Sequence, residues 1–249
     1  IDVNLKNVTI LLYNTTSLVG SSNSTLSSFL VNNTYLLQTT YYFNATAYDL
    51  AENFNRTETR TIIIGVVNVS SCQGLLVPGD YILNQNVNSN LDCLNITAND
   101  VHLDCKGYKL TGNDIGPISQ GNVLIGSIME ATKQYGTFGV FIDQVNHTLI
   151  KNCLITNFSA GIFSFETVNI TLINNTIYNN TQYGIELLCS HNANVSRNVI
   201  YNNFYGFNLY HGDNTTSSHN LIYNNDVGIF NLNTNSSFFS HDRVYNNFY

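Results

Sequence analysis

Three carboxylates, a few histidines and an unusual number of asparagines are the side chains whose spacing could carry chemistry. Asp143 and Glu166 lie 23 residues apart, with Glu186 not far behind. Paired acids of this kind cleave glycosidic bonds when one donates a proton and the other serves as base or nucleophile. No second Asp joins them at close spacing, so no catalytic residue is assigned. His219 and His241 lie 22 apart and could stack around a metal. His191 and His211 fall elsewhere in the pattern and no third ligand accompanies them, so surface histidines are the simpler account, with no metal and no cofactor assigned.

The asparagines are more telling. Sixteen stand in N-x-S/T with x not proline: Asn7, Asn14, Asn23, Asn32, Asn44, Asn55, Asn68, Asn95, Asn146, Asn157, Asn169, Asn174, Asn179, Asn194, Asn214 and Asn235. The composition alone would give about 7 such acceptors. Asn-rich turns beside Thr-rich strands generate some automatically; the excess points to a chain carrying many N-linked glycans. That would place it outside the cell or on its surface. Asn146, Asn169, Asn194, Asn214 and Asn235 recur at nearly one position in a repeat, which predicts a stripe of glycans crowded at about 4.8 Å per rung, with incomplete occupancy.

Composition agrees. Only 10% of the 249 residues are charged, while 41 are Asn and 44 are Ser or Thr, so something other than charge must hydrate the surface. The net charge of −7 and the lack of a basic cluster argue against nucleic acid and anionic membranes as partners. The longest hydrophobic patch, "TIIIGVV" at 61–67, is far short of a membrane helix. Of the five cysteines, Cys72 and Cys93 are the preferred pair because they flank the start of the repeats. Cys105 with Cys153 is a second candidate, and the pairing of Cys105, Cys153 and Cys189 stays open.

The elements that must position these groups show as a period. Five segments begin at Gly139, Gly161, Gly184, Gly206 and Gly228, and four of them end in "IYNN" or "VYNN". A period of 22 or 23 with short alternating apolar runs predicts stacked β-coils; the leucine-rich frame is absent, and helical repeats need longer units. Val140, Ile162, Ile185, Phe207 and Ile229 should form one buried column, and Ile155, Ile177, Ile200, Ile222 and Val244 another. Glycine marks a corner with an unusual backbone angle or a close approach of coils. Asn179, Asn202, Asn224 and Asn246 should stack as one amide ladder. Asn175, Asn198, Asn220 and Asp242 make a second, with Cys153 at its upper end. Tyr178, Tyr201, Tyr223 and Tyr245 should point outward, either stacking on themselves or offering an aromatic interface stripe to a glycan or a second subunit.

The stretch "CQGLLVPGDYILNQNVNSNLDCLNITANDVHLDCKGYKLTG" (72–112), its "LDCKG" element and the later "NITLINNTIYNN" coils resemble right-handed parallel β-helix proteins abundant on archaeal cell surfaces. That class also contains NosD-like proteins and pectin-degrading enzymes. The NosD-like resemblance raises copper for the histidines, again without a third ligand; the adjacent-Asp and Gly-His-Gly signatures of pectin hydrolases are absent. Residues 1–66, with "LKNVTILLYN" and "TTYYFNATAYDLAENFNRTETRTIII", resemble the immunoglobulin-like β-sandwich modules that precede such helices. The expected architecture is all-β: an incomplete sandwich over 1–67, completed by a neighbouring chain or cut short, then a right-handed parallel β-helix over 68–249 with an irregular loop at 113–138.

The expected function is a secreted, heavily N-glycosylated, non-catalytic structural protein. It would assemble with copies of itself into a cell-surface or extracellular filament by stacking and strand donation at its unblunted ends. The alternative is a β-helix protein that binds or cleaves polysaccharide. A binder would use the tyrosine stripe; a hydrolase or lyase would need a carboxylate-lined groove around Asp143 and Glu166.

Overall fold

The structure, a computed structural model, describes residues 4–26, 39–113 and 136–249. Asn32 and most of the irregular loop at 113–138 therefore lie outside the described residues. Phe138 lies within them and already begins a strand. The chain divides into two units, Ile1–Val66 and Val67–Tyr249, and the described residues are strands and connections without a helix.

In the first unit a long central strand, Thr39–Asp49, runs antiparallel to Leu5–Asn14 on one side and to Phe54–Arg56 and Arg60–Ile64 on the other. Leu18–Ser24 closes the outer edge against Leu5–Asn14. This antiparallel sheet is consistent with part of a β-sandwich.

The second unit is a parallel β-helix built of three sheets. One coil shows the plan. A long strand, Ala160–Phe165, leads into a short one, Thr171–Ile173, then another, Thr176–Tyr178, before the next coil begins at Tyr183. Each strand pairs in parallel with its equivalent one coil away: Ile162 lies on Ile185, Leu172 on Val195, and Ile177 on Ile200. Like side chains thus stack on like, and both predicted apolar columns are fully buried except at Ile229 and Val244 in the last coil. Each buried aliphatic side chain contributes roughly 1.5–3 kcal/mol.

Coils turn where residues adopt positive φ, and these residues also stack. One such column is Asn157, Asn179, Asn202, Asn224 and Asn246; another is Asn152, Asn174, Arg197, His219 and His241. The left-handed conformation costs about 1–2 kcal/mol for most L-residues and less for Asn, whose amide bonds locally. That is the physical reason asparagine recurs at these corners. The ladder expected at Asn179, Asn202, Asn224 and Asn246 is displaced by one residue. Those four stack outward with one exposed amide bond, Asn202 Nδ2 to Asn179 Oδ1 at 3.2 Å, and the interior ladder is formed by their successors Asn180, Asn203, Asn225 and Asn247. Asn180 Oδ1 accepts the Phe158 N–H at 3.0 Å, and each later Oδ1 accepts both the backbone N–H and Nδ2 of the Asn one coil before, as Asn203 does from Asn180 at 2.9 and 3.0 Å. A positive φ at the first Asn reverses the strand alternation on which the earlier expectation rested. The second ladder runs as expected through Asn175, Asn198, Asn220 and Asp242, headed by the Cys153 N–H donating to Asn175 Oδ1 at 3.0 Å.

The repeated glycines do not mark corners of unusual φ. Gly184 sits inside a strand, where an added Cβ would meet Ile200 Cγ2 at 2.5 Å and Gly206 O at 2.6 Å. Close approach of the third-sheet isoleucines selects glycine here. The 23-residue interval from Gly161 to Gly184 traces to one extra residue at Thr181–Gln182, where the N–H groups of Gln182 and Tyr183 both donate to Ser159 O, at 2.9 and 3.0 Å. Disulfides join Cys72 to Cys93 and Cys105 to Cys153, and Cys189 is free.

Candidate functional site

The outward side of the long-strand sheet differs from the rest of the helix surface. Its strands are six residues long, Phe138–Asp143 through Val227–Leu232, so each has room for outward side chains beyond the core pair. Phe138, Ala160, Phe163 and Phe165 form an apolar cluster separate from the interior, with Phe141, Tyr183 and Leu188 packed against it. Ring centroids lie 4.9 Å apart for Phe138 and Phe163, and 5.2 Å apart for Tyr183 and Tyr205. Such aromatic pairs add about 0.5–1.5 kcal/mol beyond their buried area.

One column on this side reads Phe141, Phe163, Glu186, Asn208, Phe230 in strict register. Two polar residues thus interrupt an aromatic row. Glu186 and Asn208 are each only 6% exposed. Asn208 Nδ2 donates to Glu186 Oε1 at 3.1 Å, while Glu186 Oε2 and Asn208 Oδ1 have no hydrogen-bond partner. A buried acceptor without a donor costs about 1–3 kcal/mol. Burial pushes the Glu186 carboxyl up to about 8, against the small lowering by the Asn208 bond, so it is mostly protonated at neutral pH.

The other carboxylates do not converge on it. Asp143 pairs in register with Phe165, and Glu166 is the next residue, at a positive-φ corner. Gln144 Nε2 donates to Glu166 Oε2 at 2.8 Å. Burial, and then the charge of Glu166, raises the Asp143 carboxyl. The same two causes raise the Cys189 thiol, which disfavours its reactive thiolate. By strand geometry Glu186 lies two rungs and two residues from Asp143, roughly 12 Å between Cα atoms.

His219 and His241 stack with centroids 5.0 Å apart, exposed on the corner they share with Arg197. His211 and His191 sit at other corners, against Asn233 and Asp213 respectively. Among the described residues no group of three or more His, Cys, Asp or Glu side chains converges.

The tyrosines point outward. Tyr178, Tyr201, Tyr223 and Tyr245 stack at 5.0–5.3 Å with ring planes within 7° of parallel, and Lys109 Nζ lies 5.6 Å over the first ring. Their faces are therefore occupied by one another, which leaves ring edges and hydroxyls for any ligand.

Of the glycan acceptors, Asn23, Asn55, Asn68, Asn146, Asn169, Asn174, Asn179, Asn194, Asn214 and Asn235 are exposed, and Asn7, Asn14, Asn95 and Asn157 are half-buried. Asn44 is buried, with its Nδ2 donating to Tyr13 Oη and Thr59 Oγ1. The expected single stripe is a staggered row. Asn169 and Asn214 share the positive-φ column with His147 and Asn192, Asn146 and Asn235 precede that column by one residue, and Asn194 follows it by two.

Sequence reasoning named Glu186 only as a neighbour of Asp143 and passed over Asn208. The signal was present: both stand two residues after an aligned glycine, where the other three segments carry phenylalanine.

Comparison with known proteins gives one family match: the "Right handed beta helix region" family, over residues 82–248. No curated protein sequence matches. Among solved structures, the enzymatically active domain of tailspike protein 2 of bacteriophage CBA120 is similar at 12% identity and TM-score 0.35, over 74% of this chain and 39% of that one. The Family 28 exopolygalacturonase of Yersinia enterocolitica is similar at 11% identity and TM-score 0.33, over 98% of this chain and 74% of that one. The chain thus spans about two fifths of the tailspike domain. At these scores neither likeness bears on the site residues.

Proposed function

The chain belongs to the right-handed β-helix family, and from that premise we propose that it is an extracellular protein that binds an uncharged polysaccharide on the outward side of its long-strand sheet without cleaving it. The observation that carries this reading is the Glu186–Asn208 pair, set between Phe163 and Phe230 with one oxygen of each unpartnered. Both unpartnered oxygens are buried, so a sugar hydroxyl reaches them only when neighbouring side chains shift. A protonated Glu186 then offers an O–H donor beside the Asn208 Oδ1 acceptor, which complements hydroxyls that both donate and accept. The partly exposed rings of Phe141, Tyr183, Tyr205 and Phe230 supply apolar surface for the faces of sugar rings.

Charge selects against acidic polymers. The chain carries −7, and Asp143 and Glu166 flank the same side, so a polyanion would be repelled. Glu186 and Asp143, roughly 12 Å apart at Cα, do not form a close carboxyl pair, and the neighbouring Asp143 and Glu166 are the pair whose removal tests for cleavage. A self-assembling structural rod has no comparable observation behind it.

Electrophoresis through gels containing neutral or acidic polysaccharides tests the reading. Migration should be retarded by at least one neutral polymer and not by polygalacturonate, and Asn208→Leu should abolish the retardation. No reducing ends should be released. Retardation by polygalacturonate alone, by none of the polymers, or accompanied by new reducing ends would refute it.

A further inference from the structure

Among the described residues, one corner of the helix combines exposure with a regular series of glycan acceptors. Asn146, Asn169, Asn194, Asn214 and Asn235 provide one N-glycan acceptor in each of five successive coils, all exposed. Among the described residues four of these amides make no side-chain hydrogen bond, and the fifth, Asn169 Nδ2, contacts His147 Nε2 at 3.0 Å, which leaves its second N–H for glycan attachment. The backbone stagger then separates them. Asn169 and Asn214 occupy one column but are two rungs apart, with the non-acceptor Asn192 between them, roughly 10 Å in all. Asn146 and Asn235 occupy another column four rungs apart. Asn194 stands alone in its column, between Thr171 and Thr216. No two acceptors in neighbouring coils of this corner lie directly over one another. The stagger widens the spacing of neighbouring acceptors from about 4.8 Å to roughly 6–8 Å and so relieves the crowding expected of a straight stripe.

We propose that this corner is a covalently glycosylated edge carrying one N-linked oligosaccharide per coil. In each attachment, a lipid-diphosphate oligosaccharide donor transfers its sugar to Asn Nδ2. The C1–N bond forms, the C1–O bond to phosphate breaks, the amide loses one proton, and the lipid diphosphate leaves. With few charged residues on the chain, these sugars hydrate a surface that charge leaves bare. The proposal shares with the polysaccharide-binding reading only an extracellular location, and it stands or falls separately.

Three positions act as internal controls. Asn44 is buried with its amide engaged, so the folded protein has no room for a glycan there. Asn157 and Asn179 are acceptors directly stacked in one positive-φ column, so a single chain should carry a glycan on one of them and not on both.

The test secretes the full chain from a eukaryotic cell and maps glycopeptides after peptide-N-glycosidase treatment in heavy-oxygen water, which labels each former glycan site. Most chains should be labelled at all five edge positions and unlabelled at Asn44. Asn194→Thr then moves the acceptor from 194 to Asn192, directly between Asn169 and Asn214, while placing Thr among Thr171 and Thr216 where it fits. This variant should lose at least half of its secreted, fully occupied material. Bare edge positions, an Asn44 occupied as often as the edge, or a variant secreted at the unaltered yield with Asn169, Asn192 and Asn214 all occupied would each overturn the proposal.

Discussion

Replacing Glu186 by Gln isolates what it costs to keep a carboxyl under the aromatic side of the long-strand sheet. Burial raises this group from 4.5 to about 8 in the folded protein. Between those values the folded state still holds its proton and the unfolded state has released it, so stability falls as pH rises. Below about pH 4.5 both states are protonated and nothing is lost; above about pH 8 the loss is complete. A shift of that size corresponds to roughly 5 kcal/mol. Gln fills the same space, keeps an acceptor for Asn208 Nδ2, and does not titrate. The two proteins should therefore unfold at similar urea concentrations near pH 4.5, and the variant should become progressively more stable up to pH 8, by as much as about 5 kcal/mol. Asp143, also raised by burial and by Glu166, is common to both proteins and drops out of the difference. Urea midpoints measured at half-unit pH steps and constant ionic strength decide the matter. Parallel curves for the two proteins would refute the burial of a neutral Glu186.

The disulfides close loops of different length, 21 residues for Cys72–Cys93 and 48 for Cys105–Cys153. Loop-closure entropy then makes removal of the second, by Cys105→Ser with Cys153→Ser, cost about 4 kcal/mol against about 3 for the first, read as the drop in thermal or urea stability. Asn198→Leu should cost roughly 2–6 kcal/mol, because it leaves the Asn175 N–H without its acceptor and Leu172 O without its donor inside the helix. By contrast Asn202→Gly, at an exposed corner with φ of 56°, gives up only the exposed bond to Asn179 Oδ1 and should cost no more than about 1 kcal/mol in the same assay.

The solenoid was legible because its physics is repetitive: a residue that suits one coil suits the position above it. The isoleucine columns and the Asn175–Asn198–Asn220 ladder could be read directly from spacing. The displaced ladder could not, since period-2 alternation counts every residue as extended. Four corners with positive φ break that count, and at "NN" the break falls between the two asparagines. The stagger of the glycan acceptors was hidden for the same reason; intervals of 20 to 25 residues look like one column until the corner is located. Glu186 and Asn208 were hard to see for a different reason. Their role depends on which side of a six-residue strand is outward and on what surrounds them, and a polar residue in an Asn-rich chain gives no alarm. The aligned glycines held the necessary frame, and counting two residues onward from each reveals the interruption.

The lone surplus residue at Thr181–Gln182 shows how such a molecule can change length over generations. An addition inside a strand would rotate every later side chain to the opposite side, turning isoleucine to water and asparagine away from its ladder. At the turn before Tyr183, the surplus is swallowed by two N–H groups converging on one carbonyl. The coil from Leu94 to Val140 likewise takes its extra length between strands, at the connection after Thr111, and keeps its register; within the strands, length is granted or withdrawn only in whole circuits. Duplicating 184–205 would seat Gly184 over its own copy and lengthen the molecule by one circuit without disturbing a neighbour. Growth of this protein is therefore quantised, and its ancestry should read as a ledger of circuits copied and lost.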